Sequence, residues 1–295
     1  MKNWLKRCLS LFVLNDLSWG VLESSFLRLS RFFERERGQI VLESPRNRMI
    51  SDAIKTLIPD LVVKHGVFSG MKYPGAVSVG SSLFPKLLGS YEQELNPVIK
   101  RICREEYSEI VDVGCAEGYY AVGLALRIPQ ATVFAFDTNP QALQMCKSMA
   151  RLNGVADRLV AGSYCDAETL RAIHFSRRGL VIADCEGYEK QLFTEKTVNR
   201  FATCDLLIEL HDFMDISISG HLRQLFERTH DIETIQSVDD IKKAQSYHYA
   251  ELEPYELHVR KTLLAEQRPA VMEWFWMKAK DRRRCSDERG KHTTF

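Results

Sequence analysis

The middle of the chain, from about residue 108 to residue 236, alternates short apolar runs with segments of helical periodicity. This alternation is typical of strand-helix units, which assemble into a parallel sheet with helices on its faces. We therefore predict an α/β fold, a doubly wound and mostly parallel seven-stranded sheet with an N-terminal helical extension. The predicted strands are residues 109–114, 132–137, 158–163, 179–184, 204–210, 231–236 and 271–279. Trp274 and Trp276 are expected to be core residues of the last strand, placed at an edge of the sheet.

The segments on either side of this pattern suggest three domains. Residues 1–88 are predicted to form a helical cap or extension, residues 89–280 the main domain, and residues 281–295 a disordered polar tail. Within the cap, residues 69–82 are rich in glycine and serine and are expected to form a lid. The apolar run at residues 8–14 is too short to span a bilayer. We expect the N-terminal helices to pack on a core or form a homodimer, without stable membrane insertion.

Charge and cysteine content narrow the class of partner. The formal net charge is +1, which gives no global electrostatic reason to bind nucleic acid. The eight cysteines include no C-x-x-C pair, as expected for reduced cysteines of a cytoplasmic protein. The sequence therefore predicts a cytoplasmic protein whose partner is a small molecule.

The strongest motif is "VDVGCAEGYY" at residues 111–120, where a predicted strand passes through two glycines into a helix. Glycine lets the backbone turn tightly beside a ligand that lies over the helix start. A dinucleotide fingerprint would need glycine where Ala116 and Tyr119 stand, so NAD is disfavoured. With Asp137 ending the second strand as a ribose acid, the pattern favours S-adenosylmethionine (SAM). The predicted cofactor-binding residues are Asp112, Gly114, Cys115, Ala116, Gly118, Asp137, Thr138, Asp166 and Asp184.

The chain resembles the FkbM-type methyltransferases of the SAM-dependent superfamily. "VDVGCAEGYY", "FAFDTNP", "IADCEGYEKQLF" and "LLIELH" are similar to four blocks of that family in the same order, and the likeness extends over about residues 87–236. The resemblance implies a Rossmann-like methyltransferase that methylates a hydroxyl of a sugar or other natural product in the cytoplasm. The chain departs from the family at Ala116, where members often have asparagine.

Carboxylates follow two neighbouring strands at the ends expected to face the transferable methyl group. Asp184 and Glu186 are two residues apart, so on an extended strand end both would point the same way. Glu189 is interpreted as a helix-start acid stabilised by the helix dipole. His211 follows the next strand and could accept the acceptor's proton. The predicted catalytic residues are Asp184, Glu186 and His211.

Two mechanisms remain open from the sequence. The placement of acids is similar to that of metal-dependent O-methyltransferases, which suggests Mg²⁺ on Asp184, Glu209 and Asp212. Metal-free general-base catalysis is favoured, because histidine is an unusual Mg²⁺ ligand. Glu209 could instead simply pair with an arginine.

The residues after the fourth strand argue against two other functions. A methyltransferase acting on nitrogen or on a macromolecule typically carries an Asn/Asp-Pro-Pro-aromatic stretch after the fourth strand, which "DCEG" at residues 184–187 is not. A SAM-binding module without catalysis would tolerate loss of the acids that this chain keeps.

Overall fold

The computed structural model describes residues 44–280, and the chain divides into two compact units, Met1–Asp52 and Ala53–Phe295. The strands are β1 (Glu109–Val113), β2 (Thr132–Phe136), β3 (Leu159–Gly162), β4 (Gly179–Ala183), β5 (Asp205–Leu210), β6 (His230–Gln236) and β7 (Glu273–Ala279). The helices are α1 (Pro45–Leu57), α2 (Leu83–Leu88), α3 (Asn96–Ile102), α4 (Tyr119–Arg127), α5 (Pro140–Leu152), α6 (Ala167–Ala172), α7 (Glu189–Leu192), α8 (Glu195–Val198), α9 (Ile218–Phe226), α10 (Asp240–Ser246) and α11 (Leu257–Leu264). All seven predicted strands are present.

The strands form one sheet in the order β3-β2-β1-β4-β5-β7-β6. The first five strands pair in parallel, whereas β7 runs antiparallel to both β5 and β6. The predicted doubly wound, mostly parallel sheet is confirmed. The position expected for the last strand was wrong: Trp274 and Trp276 are buried as predicted, but β7 lies inside the sheet and β6 forms the edge.

Strands β4 and β5 are buried along their whole length, which explains why β4 is continuously apolar and why β5 is apolar except at Asp205 and Glu209. Every residue of β4 and of β5 is buried, as expected for parallel strands covered by helices on both faces. Phe193 packs edge to face against both Phe201 and Phe226 in the cluster that covers these strands. Edge-to-face aromatic pairs add to the stability that the buried apolar area already supplies. This rigid centre positions the loops that follow β4 and β5.

The strand order of the sheet changes direction between the neighbouring strands β1 and β4. The chain moves from β1 outward to β2 and β3, and then returns to the other side of β1 at β4. Ligands of open α/β sheets bind in the crevice at such a switch point, outside the carboxyl ends of the strands. Gly114 directly follows β1, and its backbone lies very close to the residue that follows β4. A Cβ added to Gly114 would lie 1.7 Å from the carbonyl oxygen of Asp184. The fold therefore requires glycine at position 114. It also brings the cofactor turn, residues 114–118, against the acid-rich loop that follows β4 and carries Asp184 and Glu186.

Several predictions concern residues outside those described. Most of the N-terminal cap, its homodimer surface and the polar tail at residues 281–295 belong to this group, and the proposed domain boundaries stay a prediction. Within residues 44–280, no helix combines the length and apolarity needed to cross a bilayer.

Candidate active site

The turn after β1 has a positive φ at three alternate residues. Gly114, Ala116 and Gly118 have φ values of 86°, 46° and 97°. The amide of Ala116 donates to Asp137 Oδ2 at 2.8 Å, and the amide of Asn139 donates to Asp137 Oδ1 at 2.7 Å. Asp137 thus links the end of β2 to the turn after β1. A carboxylate has about four acceptor positions, so these two bonds leave room for ligand hydroxyls.

A cavity of about 550 Å³ lies over this turn. Its lining includes the predicted cofactor residues Asp112, Gly114, Cys115, Ala116, Asp137, Thr138 and Asp184. Two predicted residues have other roles. Gly118 precedes α4, and a Cβ added there would lie 2.8 Å from Cys146 Sγ. Asp166 accepts from the amide of Thr169 at 2.8 Å and caps α6.

The predicted lid supplies one wall of the cavity. Val79, Gly80 and Ser81 are among the lining residues. The segment is held by Glu117, whose carboxylate accepts from Ser78 Oγ at 2.7 Å and from the Val79 amide at 3.1 Å. The lid is therefore anchored to the cofactor turn itself.

Asp112 lines the cavity and has one carboxylate oxygen without a hydrogen-bond partner. Its side chain is buried, and Oδ2 has no hydrogen-bond partner. Burial raises the pKa of Asp112 to about 7. A buried carboxylate without a partner is costly unless a ligand donates to it. The donors of SAM, an ammonium group and two ribose hydroxyls, match what Asp112 and Asp137 offer, so the residues fit this cofactor.

We expect Ala116→Asn to stabilise the protein. Asparagine tolerates positive φ better than alanine, and the new side chain would extend into the cavity that Ala116 lines. The free energy of unfolding should rise by about 0.5 to 1 kcal/mol, or roughly 1 to 4 °C in Tm. Thermal denaturation measures this, with Ala250→Asn as the control, since Ala250 is exposed and is not a positive-φ residue. An equal gain in the control would contradict the explanation.

A second pocket of about 140 Å³ adjoins the first. Both are lined by Tyr91, Asp184 and Glu186, among other residues. The smaller one is also lined by Glu209, His211, Phe213, Glu266, Arg268 and Met272. Asp184 and Glu186 thus stand where the two pockets meet.

His211 is the centre of the polar groups in the second pocket. Its ring is buried, with Nδ1 2.7 Å from Glu189 Oε1. Its Nε2 lies 3.5 Å from Asp184 Oδ1 and 3.6 Å from Glu186 Oε2. The structure thus brings together the three predicted catalytic residues. β4 ends at Ala183, and Glu186 reaches the imidazole from a turn in which its φ is 53°, not from an extended strand end.

The pKa values of Asp184, Glu209 and His211 are shifted by burial and by the charges around them. Burial raises the pKa of Asp184 to about 7 and raises that of Glu209 well above its usual range, with repulsion between the two carboxylates adding to the shift at Glu209. Burial lowers the pKa of His211, but the hydrogen bond and charge of Glu189 outweigh it, so that the net shift is upward. The pocket can therefore exchange a proton near neutral pH.

Two residues of this pocket were missed or misread from the sequence. Glu189 does begin a helix, but its side chain is fully buried against His211 and is not a solvated helix-start acid. Arg268 binds Glu92, Glu209 and Glu266. Nothing in the local sequence pairs Arg268 with Glu92 or Glu209, which lie far from it along the chain.

The predicted Mg²⁺ ligands do not form one cluster. Glu209 pairs with Arg268, and Asp212 Oδ1 accepts from the amide of Ser219 at 2.9 Å. The alternative that Glu209 pairs with an arginine is what the structure shows. The predicted Mg²⁺ site on Asp184, Glu209 and Asp212 is therefore not supported. A different set, Asp184, Glu186 and His211, offers one ligand atom from each residue within 4.8 Å of one another, a spacing that could hold a cation.

The sheet order, the glycine turn after β1 and the cleft at the switch point define a Rossmann-like methyltransferase fold. Comparison with known proteins agrees, since residues 105–229 match the model of a family described as "Methyltransferase domain". Residues 105–229 are therefore similar to methyltransferase domains. The finer FkbM assignment stays a prediction.

Individual relatives match only short segments. The release factor glutamine methyltransferase of Deinococcus radiodurans is 38% identical over 69 residues, covering 23% of this chain and 25% of that protein. The ribosomal protein L11 methyltransferase of Alteromonas mediterranea is 48% identical over 50 residues, covering 17% of each. The chain thus spans a quarter or less of these curated relatives. A solved rRNA methylase from Streptococcus thermophilus is 13% identical with a TM-score of 0.44, covering 64% of this chain and 98% of that one.

Proposed function

We propose that this protein is a SAM-dependent O-methyltransferase that acts on a hydroxyl of a small molecule such as a sugar or another natural product. The observation that carries the proposal is the pair of adjoining pockets that meet at Asp184 and Glu186. The larger pocket has the glycine turn and acids that suit SAM, and the smaller one has room and polar groups for an acceptor hydroxyl. Methyl transfer needs two such compartments opening toward one point.

The chain's own residues hold and orient the cofactor. Asp112 would accept from the ammonium group, and Asp137 from the ribose hydroxyls, while the turn at Gly114 permits close backbone approach. When bound, SAM supplies a methyl group on a positively charged sulfur, ready for in-line displacement. The protein has only to align the acceptor and remove its proton.

The second pocket is suited to that task. A hydroxyl placed between Asp184, Glu186 and His211 has proton acceptors on three sides. Positioned general bases contribute about 10²- to 10⁴-fold to such reactions. The acceptor is held in a site walled by Phe213 and Met272, which supply apolar contact.

The main competing hypothesis is that the methyl acceptor is a protein. The matched segments of the release factor and ribosomal protein methyltransferases support a shared cofactor site, not a shared substrate, because they span so little of those proteins. "DCEG" at residues 184–187 lacks the paired prolines typical of enzymes that methylate amide or amino nitrogen. A hydroxyl acceptor is therefore favoured.

The test is a search for the product. We expect the purified protein, given SAM with an isotope-labelled methyl group and a set of metabolite extracts, to yield a small molecule heavier by one labelled CH₂ unit. Base hydrolysis that leaves the label in place identifies an ether. Label found only in protein, or on nitrogen, would contradict the proposal, and SAM binding without any labelled product would favour the non-catalytic module.

A further inference from the structure

Glu189 is a fully buried carboxylate beside the second pocket. It is the first residue of α7, and its side chain has no exposed surface. Oε1 contacts His211 Nδ1 at 2.7 Å and lies 3.3 Å from the amide of Gly187. Oε2 has no hydrogen-bond partner. A buried charge of this kind is costly and persists only with a compensating partner, which here is the imidazole.

The contact determines which imidazole nitrogen carries hydrogen. Burial raises the pKa of Glu189, but the hydrogen bond and charge of His211 outweigh it and leave the pKa below its usual value, so Glu189 is ionised. An ionised carboxylate can only accept, so Nδ1 must donate to it. In the neutral ring Nε2 is then a bare acceptor. This bare nitrogen points toward the carboxylates of Asp184 and Glu186 at 3.5 and 3.6 Å, beyond direct hydrogen-bond distance.

Three acceptors facing one another need a donor among them. When His211 is neutral and both acids are ionised, the lone pairs of Nε2, Asp184 Oδ1 and Glu186 Oε2 repel one another unless a hydrogen-bond donor lies between them. Asp184 Oδ1 is itself buried without a hydrogen-bond partner. An acceptor hydroxyl entering the second pocket would supply that missing donor.

We propose that Glu189 is the positioning residue that makes His211 the proton acceptor of the methyl transfer. The inference rests on the proposed function and deepens it by separating the role of His211 from those of the two carboxylates. Glu189 fixes the tautomer and orientation of the ring, whereas Asp184 and Glu186 orient the hydroxyl. Such acid-histidine pairs are a general device for activating a weak nucleophile.

The transfer balances as a single displacement. The acceptor O–H bond breaks as its proton moves to His211 Nε2, and the oxygen lone pair forms the new bond to the methyl carbon. The carbon–sulfur bond breaks and its electron pair remains on sulfur, which becomes neutral. The imidazolium that forms is stabilised by Glu189 from α7, by Asp184 and Glu186 from the loop after β4, and by Glu209 from β5.

The first experiment measures the tautomer without any substrate. ¹⁵N NMR of the histidine rings in the full-length protein, recorded at a pH high enough for His211 to be neutral, should show hydrogen on Nδ1 and a bare Nε2, with the signal assigned by its loss in His211→Asn. In Glu189→Gln, the side-chain amide can donate to Nδ1, and the tautomer should switch to hydrogen on Nε2. A neutral wild-type ring with hydrogen on Nε2 and none on Nδ1 would overturn the proposal, whether or not the variant folds. Because no methyl transfer is measured, this result stands apart from the proposed function.

The second experiment measures the rate with the labelled-SAM assay. Glu189→Gln should lower kcat by about 10²- to 10⁴-fold, as loss of the correct tautomer does in acid-histidine pairs. Glu189→Asp should recover a substantial part of that loss, because it restores the anion. Glu195→Gln, an exposed glutamate in the next helix, should leave kcat unchanged.

Two results of the rate experiment would overturn the proposal. One is equal activity of Glu189→Gln and wild type. The other is a rate abolished by EDTA and restored by Mn²⁺, since a metal on Nε2 would leave that nitrogen unable to take a proton. SAM affinity and Tm of each variant separate these effects from unfolding.

Discussion

His211→Asn is expected to slow methyl transfer by about 10²- to 10⁴-fold while leaving SAM affinity unchanged. Asparagine places a side-chain N–H where Nδ1 stands, so Glu189 keeps a donor, but nothing replaces Nε2. His211 lines the smaller pocket and is not among the residues that line the larger one. The loss should therefore fall on the transition state and not on cofactor binding.

The measurement pairs labelled methyl transfer with calorimetric titration of SAM. His221→Asn is the matched control, because His221 lies on α9 with Nε2 2.9 Å from the carbonyl oxygen of Phe193 and lines neither pocket. Its kcat should stay within about twofold of wild type. Equal slowing in both variants would show that the effect is structural, and full activity of His211→Asn would exclude His211 as the base.

Asp112→Asn is expected to raise the stability of the ligand-free protein and to weaken SAM binding. The folded pKa of about 7 exceeds the ordinary value of 3.8, so the folded state binds the proton more tightly than the unfolded state does. Stability therefore falls as pH rises from about 4 to about 7 and is flat above that. Asparagine removes this penalty, which at about 1.4 kcal/mol per pH unit reaches about 2 to 4 kcal/mol above pH 7.

The same substitution removes the carboxylate that would accept from the ammonium group of SAM. Loss of one charge-assisted hydrogen bond should weaken SAM affinity about 10- to 100-fold. Below pH 7 wild-type affinity should fall as Asp112 takes up a proton, whereas that of the variant should change less.

Denaturant unfolding and SAM titration at pH 5 and pH 8 measure both effects. The control is Asp157→Asn, since Asp157 is exposed at the turn before β3 and should change neither quantity. Stability that falls in Asp112→Asn at pH 8, or SAM affinity equal to wild type, would contradict the role given to Asp112.

The sequence by itself determined the local parts of this molecule. Strands and helices alternate with periods that depend only on neighbouring residues, so all seven strands were predicted from the pattern. The turn at Gly114 was also predictable, because only glycine fits a backbone that passes so close to another strand. The end of β4 and the end of β5 meet in any sheet of this order, so Asp184, Glu186 and His211 were expected to lie together.

Only the tertiary structure decided which distant groups became partners. β7 inserts between β5 and β6, a choice of sheet position that depends on packing across the whole domain. The loop before β7 carries Arg268 to Glu92 and Glu209, far apart in the chain, and so removes Glu209 from the predicted metal site. Glu189 has the sequence signature of a solvated helix start, yet burial converts it into the partner of His211. Burial and long-range pairing are properties of the packed chain, and no local pattern of residues encodes them.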